Sequence, residues 1–139
     1  MDFQALREIE KRYSLRLPAE YCSFVLDYPV LENKSEQRYL EETIYRTLEW
    51  VVTANDFFRD EAEGPAQSPA FEGHGWKHSY FVVGSDGCGS YYFLDTARKP
   101  APVYFFDHGQ EAVEFVAKDI SGLLALFHEL SAEVESWRD

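Results

Sequence analysis

Apolar positions in the first thirty residues recur at helical spacing. In "DFQALREIEKRY" (2–13), Phe3, Leu6, Ile9 and Tyr13 form one stripe with charges opposite, which predicts an amphipathic helix. In "PAEYCSFVLDY" (18–28), Tyr21, Phe24, Val25 and Tyr28 fall at i, i+3, i+4 and i+7. Pro18 suits the first position of this second helix, where a missing N–H costs nothing. Pro29 disfavours helical geometry in the residue before it, so the helix is expected to stop at Tyr28. Residues 32–41 are polar and charged and read as a loop. "TIYRTLEWVV" (43–52) is rich in β-branched and aromatic residues, which predicts one strand or two short ones. "ANDFFRDEAEG" (54–64) reads as a short helix capped by Asn55 or Asp56, with Gly64 after its end. "GPAQSPAFEGHG" (64–75) holds two prolines and three glycines and reads as a loop.

From Ser79 the period shortens. "SYFVV", "SYYFL" and "PVYFF" are short apolar runs between turn residues, spaced as an antiparallel meander, and "AVEFVA" (112–117) makes a fourth strand. Helical spacing then returns through Ile120, Leu123, Phe127, Leu130, Val134 and Trp137, with Asp119 as the candidate cap. No internal repeat interrupts the pattern. The expected fold is α+β: a single domain over residues 1–139, its antiparallel sheet packed against N-terminal helices and one C-terminal helix.

The glycines of "VVGSDGCGSYYFLD" (82–95) pose the main chemical question. A phosphate-binding loop needs a following lysine and a helix, and here another strand follows. A dinucleotide fingerprint or a nucleophile elbow also needs strand then helix. What remains is a hairpin, with Asp86-Gly87 as the turn pair and Gly89 free to adopt the left-handed conformation. His74 and His78 are four apart, but glycines flank them and no metal site is expected. Ser85 or Ser90, His108 and Asp95 or Asp107 assemble a triad on paper only, because triads are recognised by geometry. Cys22 and Cys88 form no CxxC unit and read as free thiols, with Cys22 a small buried hydrophobe. No cofactor and no catalysis are expected.

Composition changes the picture in two ways. Hydrophobic residues make up 45% of the chain and aromatic ones 17%, too rich for disorder. No apolar run approaches a membrane span and the N-terminus lacks the pattern of a secretion signal, so a cytoplasmic protein is expected. Net charge is -12, which argues against nucleic acid or anionic membrane as a direct ligand. Residues 32–63 carry 9 acids against 4 bases, and residues 107–139 carry 8 against 2, so two segments hold nearly all the excess. Solubility is one reading of that excess, and a negative face for a basic partner is the other. Tyr80, Phe81, Tyr91, Tyr92, Phe93, Tyr104, Phe105 and Phe106 place rings on both faces of the sheet. Either other segments cover both faces, or a tyrosine-bearing surface is left for a partner.

The order of motifs is that of a known family. "EIEKRYSLRLPAEYCSFVLDY" resembles the N-terminal signature of the SMI1/KNR4 family of the SUKH superfamily: an amphipathic helix, a Leu-Pro pair (Leu17, Pro18), then a helix carrying Tyr21, Phe24, Val25 and Tyr28. "VVGSDGCGSYYFLDT" resembles its glycine hairpin, ending in Asp95, and "PVYFFDHGQE" (Pro102, Val103, Tyr104, Asp107, His108) its next strand and loop. "VAKDISGLLALF" is similar to its last strand-to-helix junction, Ala117 to Phe127. The family's Asn-Gly pair after the second helix is replaced here by "PVLENK". The resemblance implies binding rather than catalysis: many bacterial members are immunity proteins that neutralise a cognate toxin, often a nuclease, and fungal members act as regulatory binding domains. It supplies no catalytic residues. The expected partner is therefore a basic toxin domain, and an adaptor role without a toxin is the alternative. The acids expected to meet the partner are Asp56, Asp60, Glu61 and Glu63 in the central segment, with Glu111 and Glu114 as a second cluster.

Overall fold

A computed structural model describes residues 1–127 of the chain, so Leu130, Val134 and Trp137 of the expected last helix lie outside the described residues. Along the chain run α1 (Phe3–Tyr13), α2 (Ala19–Leu26), α3 (Lys34–Thr43), α4 (Leu48–Phe58), a 3-10 turn (Pro65–Gln67), α5 (Ala70–His74), β1 (Tyr80–Ser85), β2 (Tyr91–Asp95), β3 (Val103–Asp107) and β4 (Ala112–Ala117). A last helix, α6, covers residues 120–127 of the described chain. The strands form one antiparallel sheet in the order β1-β2-β3-β4. The fold is α+β, as the sequence implies.

The helix boundaries follow from caps. Asp2 accepts from the Ala5 N–H at 2.8 Å and starts α1, and Ser14 ends it in the left-handed conformation. Leu6, Ile9 and Tyr13 enter the core, whereas Phe3, expected on the same stripe, is 71% exposed. α2 stops at Leu26, two residues earlier than Pro29 alone implies. Tyr28 is still buried beyond its end, and its hydroxyl donates to the carbonyls of Leu40 and Ile44. Asp119 caps α6 by accepting from Gly122 N–H at 2.8 Å.

Three expectations are corrected between residues 32 and 75. Residues 34–43 are helical rather than loop: Asn33 accepts from the N–H groups of Ser35 and Glu36, and only Leu40 and Thr43 of α3 are buried. A helix so rich in charged and polar residues reads by composition as a loop. Residues 43–52 form no strand. Thr47 caps α4, whose Val51, Ala54, Asn55 and Phe58 face inward at helical spacing. Asn55 and Asp56 therefore sit inside that helix and do not start it. The Pro- and Gly-rich stretch is only partly loop, since α5 delivers Phe71 into the core.

The glycine cluster is a turn. Asp86 Oδ1 accepts from Cys88 N–H at 2.8 Å and Ser90 N–H at 3.2 Å, while Gly87 and Gly89 take positive φ between β1 and β2. Helices or loops cover both faces of the sheet. One face sets Phe93 and Phe106 against Phe58 and Phe71, with ring centroids 5.7 to 5.9 Å apart. On the other face Phe81 meets Tyr13 and Tyr21.

The outer edge of β1 is closed by side chains. Asn55 Nδ2 donates to Val82 C=O at 2.9 Å, and its Oδ1 accepts from Val82 N–H at 2.8 Å. Arg59 donates to Tyr80 C=O at 2.6 Å, and the Tyr45 N–H donates to Val83 C=O at 2.8 Å. Between these, the register slips by one residue at Val82/Gly84, and a Cβ on Gly84 would lie 1.5 Å from the Thr43 carbonyl oxygen.

Replacing Asn55 with Ala leaves the buried Val82 N–H and C=O without partners, at about 1–3 kcal/mol for each unsatisfied group. The N55A variant is expected to lose about 3 kcal/mol of unfolding free energy in a urea titration. G84A is expected to lose more, because backbone that meets backbone has no rotamer to move. A midpoint within error of wild type for N55A would show that the edge is held by other contacts.

Candidate docking groove

Once Asn55 pins α4 to β1, the outer side of α4 carries Glu49, Trp50, Thr53 and Phe57. Trp50 is 60% exposed and Phe57 48%, unusual exposure for rings of this size. Tyr45 lies beside Trp50 with centroids 6.0 Å apart, and Tyr91 lies 6.5 Å from Phe57. Together they line a hollow of about 410 Å³. Phe57 and Tyr91 also line a second hollow of about 520 Å³, whose walls include Glu63, Gly64, Ser68, Phe106, His108 and Glu111. The two hollows adjoin at the shared Phe57 and Tyr91, and together they make up the groove.

The groove is acidic along its rim. Glu49, Glu63 and Glu111 line it, and neither hollow has a lysine or arginine among its lining residues. The nearest arginines are already matched: Arg46 pairs with Glu41 at 2.9 Å and Arg38 with Glu42 at 3.6 Å, in the cleft beyond Trp50. Burial first and the neighbouring Asp86 charge second raise the Tyr91 phenol above its ordinary value. Tyr91 therefore remains a neutral hydroxyl at physiological pH. The arrangement suits a cation: an aromatic floor takes a guanidinium face-on while a carboxylate meets its edge.

The acids picked from the sequence divide here. Glu63 and Glu111 meet across the second hollow, although 48 positions separate them in the chain. Asp60 and Glu61 are exposed in the turn leading to Glu63, and Asp60 Oδ1 accepts from the N–H groups of Ala62 and Glu63, each at 2.9 Å. Asp56 instead faces α1. It accepts from Arg12 Nε at 3.1 Å and from the Tyr13 hydroxyl at 2.8 Å, so its charge is already matched. Glu114 sits on β4 opposite Phe105, on the sheet face away from Phe106 and the groove. Glu49, Trp50 and Phe57 were not legible as site residues while 43–52 read as a strand. Thr47 followed by inward positions 51, 54, 55 and 58 is the helical signal that finds them.

Ser90, Asp95 and Asp107 of the paper triad are engaged elsewhere. Ser90 is buried, and its Oγ accepts from the backbone N–H of His108 at 3.0 Å, not from the ring. Asp107 Oδ1 accepts from Gly109 and Gln110 N–H and closes a turn. Asp95 is buried and accepts from Ser79 Oγ at 2.8 Å and Ala97 N–H at 3.1 Å. The His74 ring bonds the Tyr80 hydroxyl at 2.8 Å, and burial lowers its pKa below the ordinary value. Both cysteines are free, Cys22 half-buried and Cys88 exposed. Among the described residues, no helix is long and apolar enough to cross a membrane.

Comparison with known proteins places these features. The model of the SMI1 / KNR4 family (SUKH-1) matches residues 2–126. No curated protein matches the chain, and no solved structure matches it.

The Asp56 pair makes a pH-dependent contribution whose sign follows from its surroundings. The Arg12 hydrogen bond, opposed by burial and helped by Tyr13, lowers the Asp56 pKa in the folded protein. A lowered folded pKa stabilises the fold above the unfolded carboxylate value, near about 4, and that stability is lost as pH falls through the folded value. The difference in unfolding free energy between wild type and D56N is therefore expected to be constant near neutrality and to shrink on acidification below about pH 4. Urea titrations across that range check it. A difference that stays constant at every pH would mean the carboxylate does not titrate as a pair with Arg12.

Proposed function

As a member of the SMI1/KNR4 family (SUKH-1), the chain is, we propose, an immunity protein that binds a secreted toxin domain and neutralises it by covering its basic active surface. The observation that carries this reading is the groove along α4. Its floor is aromatic and solvent-exposed, its rim holds Glu49, Glu63 and Glu111, and no lysine or arginine lines it. A nuclease domain is the favoured partner class, because a protein that binds a polyanion must present cations where its substrate sits. Toxin docking in this groove excludes the nucleic acid by occupying those cations.

The two parts of the groove have separate roles. The net charge of -12 and the acidic rim draw a basic partner in and raise the encounter rate, an effect that salt weakens. Trp50, Phe57 and Tyr91 supply the desolvated contacts that slow dissociation. Asp60 and Glu61 extend the negative field beside Glu63. Asp56, held by Arg12, and Glu114, on the far face of the sheet, contribute to the field but not to contact.

The test is affinity capture from a lysate of the source organism with the tagged protein, eluted by a salt gradient, beside a variant carrying E49K, E63K and E111K. One partner with a basic C-terminal domain is expected, released from wild type at high salt and bound roughly a hundred-fold more weakly by the variant. Equal recovery of that partner by both proteins would move the contact away from the groove. Capture of a housekeeping assembly instead, insensitive to salt, would replace the immunity reading with an adaptor role.

A further inference from the structure

The fold also builds a cleft of the opposite charge. Between the link that joins α1 to α2 and the link that joins β2 to β3 lies a hollow of about 480 Å³. Arg16 enters it from the first link, and Arg98 and Lys99 enter from the second. The chain has nearly twice as many acids as bases, and several of its exposed bases have a carboxylate neighbour. Arg12, Arg38, Arg46 and Lys77 each have one. Among the described residues, Arg16, Arg98 and Lys99 are in no ion pair. Glu20, the one acid lining the cleft, is bonded by the Ser121 hydroxyl of α6 at 3.5 Å.

The backbone on both sides is fixed before any ligand arrives. Leu17 is buried, and its N–H donates to Glu10 Oε2 at 2.8 Å, which anchors the residue after Arg16. The buried Asp95 accepts from Ala97 N–H, and the Arg98 N–H donates to the Asp95 carbonyl at 3.3 Å. Three cations are thus held near one another by the fold, and their mutual repulsion is relieved when an anion joins them.

We propose that this cleft is a binding site for the phosphate group of a small phosphorylated molecule. The charge favours phosphate over carboxylate: a phosphate monoester carries about -1.5 to -2 at neutral pH, a closer match to three cations set against the one carboxylate of Glu20. Two guanidinium groups offer forked donors that fit phosphate oxygens two at a time. Pro18, Pro100 and Ala101 add an apolar wall for the body of the ester. The site is independent of the acidic groove and of any toxin.

Phenyl phosphate tests the assignment, with inorganic sulfate as a control of similar charge and no apolar body. Amide chemical shifts are followed during titration at constant ionic strength. Saturable shifts confined to residues 16–20 and 96–101 are expected, with sulfate binding roughly ten-fold more weakly. R16E and R98E, both on exposed positions, should each weaken phenyl phosphate by at least about ten-fold while their melting temperatures stay at the wild-type value. K34E, a base outside the cleft, should leave binding unchanged. Equal affinity for sulfate would mean an adventitious ion only and would overturn the proposal. So would wild-type binding by R98E, or shifts spread over the surface without saturation.

Discussion

The unpaired edge of β1 exposes backbone donors and acceptors, and in this chain Asn55 is the side chain that meets both a donor and an acceptor there. Asn55 offers a donor and an acceptor to the same residue of β1, as a neighbouring strand would. It does so from a helix, and that determines the direction of everything attached to α4. Beside the Asn55 bond β1 carries an extra residue at Val83, whose carbonyl accepts from Tyr45 N–H. Gly84 then lets the end of α3 come closer than any side chain would permit. Bulge, glycine and asparagine are one device.

That device fixes the faces of α4. With residue 55 against the strand, residue 58 must enter the aromatic core and residue 56 must turn toward α1, since neighbours on a helix are about 100° apart. Residues 49, 50 and 57 are what remains for solvent. The exposure of Trp50 and Phe57 is therefore not slack packing; their positions on the helix are dictated by a bond on its other side. The same geometry sorts the acids. Asp56 is consumed by Arg12 and Tyr13, whereas Glu49 has no base beside it in the groove.

Where the sequence was legible, one period dominated. The four strands are short apolar runs bounded by turn residues, the hairpin glycines sit between two of them and α1 carries a helical stripe, so each can be read from neighbours in the chain. α3 was invisible because its charged and polar residues read by composition as a loop. α4 was misread because β-branched and aromatic residues outnumber good helix formers in 43–52, and tertiary contacts overrode that preference. The inward position that breaks the apolar pattern of α4 is Asn55, the residue whose polarity the edge requires. The same substitution that closes the sheet thus hid the helix. Of the candidate acids, Glu63 and Glu111 are brought together by the fold, but nothing local in the chain marks them as partners.

Charge of each sign gathers in a different hollow of the fold. Where an acid and a base can pair within the fold, as at Arg12–Asp56 or Arg46–Glu41, they do so near the surface and contribute little net stability. Part of the unpaired remainder is grouped by sign. Glu49, Glu63 and Glu111 line the aromatic groove without a lysine or arginine, and Arg16, Arg98 and Lys99 outnumber Glu20 in the cleft between the two links. Separating like charges in this way costs self-repulsion in each patch, a cost that interspersing them would have avoided. A segregated surface keeps that unfavourable energy in the free protein and releases it when a partner of opposite sign arrives. The groove and the cleft are in this sense prepared for ligands of opposite charge, and the repulsion within each patch is the part of its affinity that exists before contact.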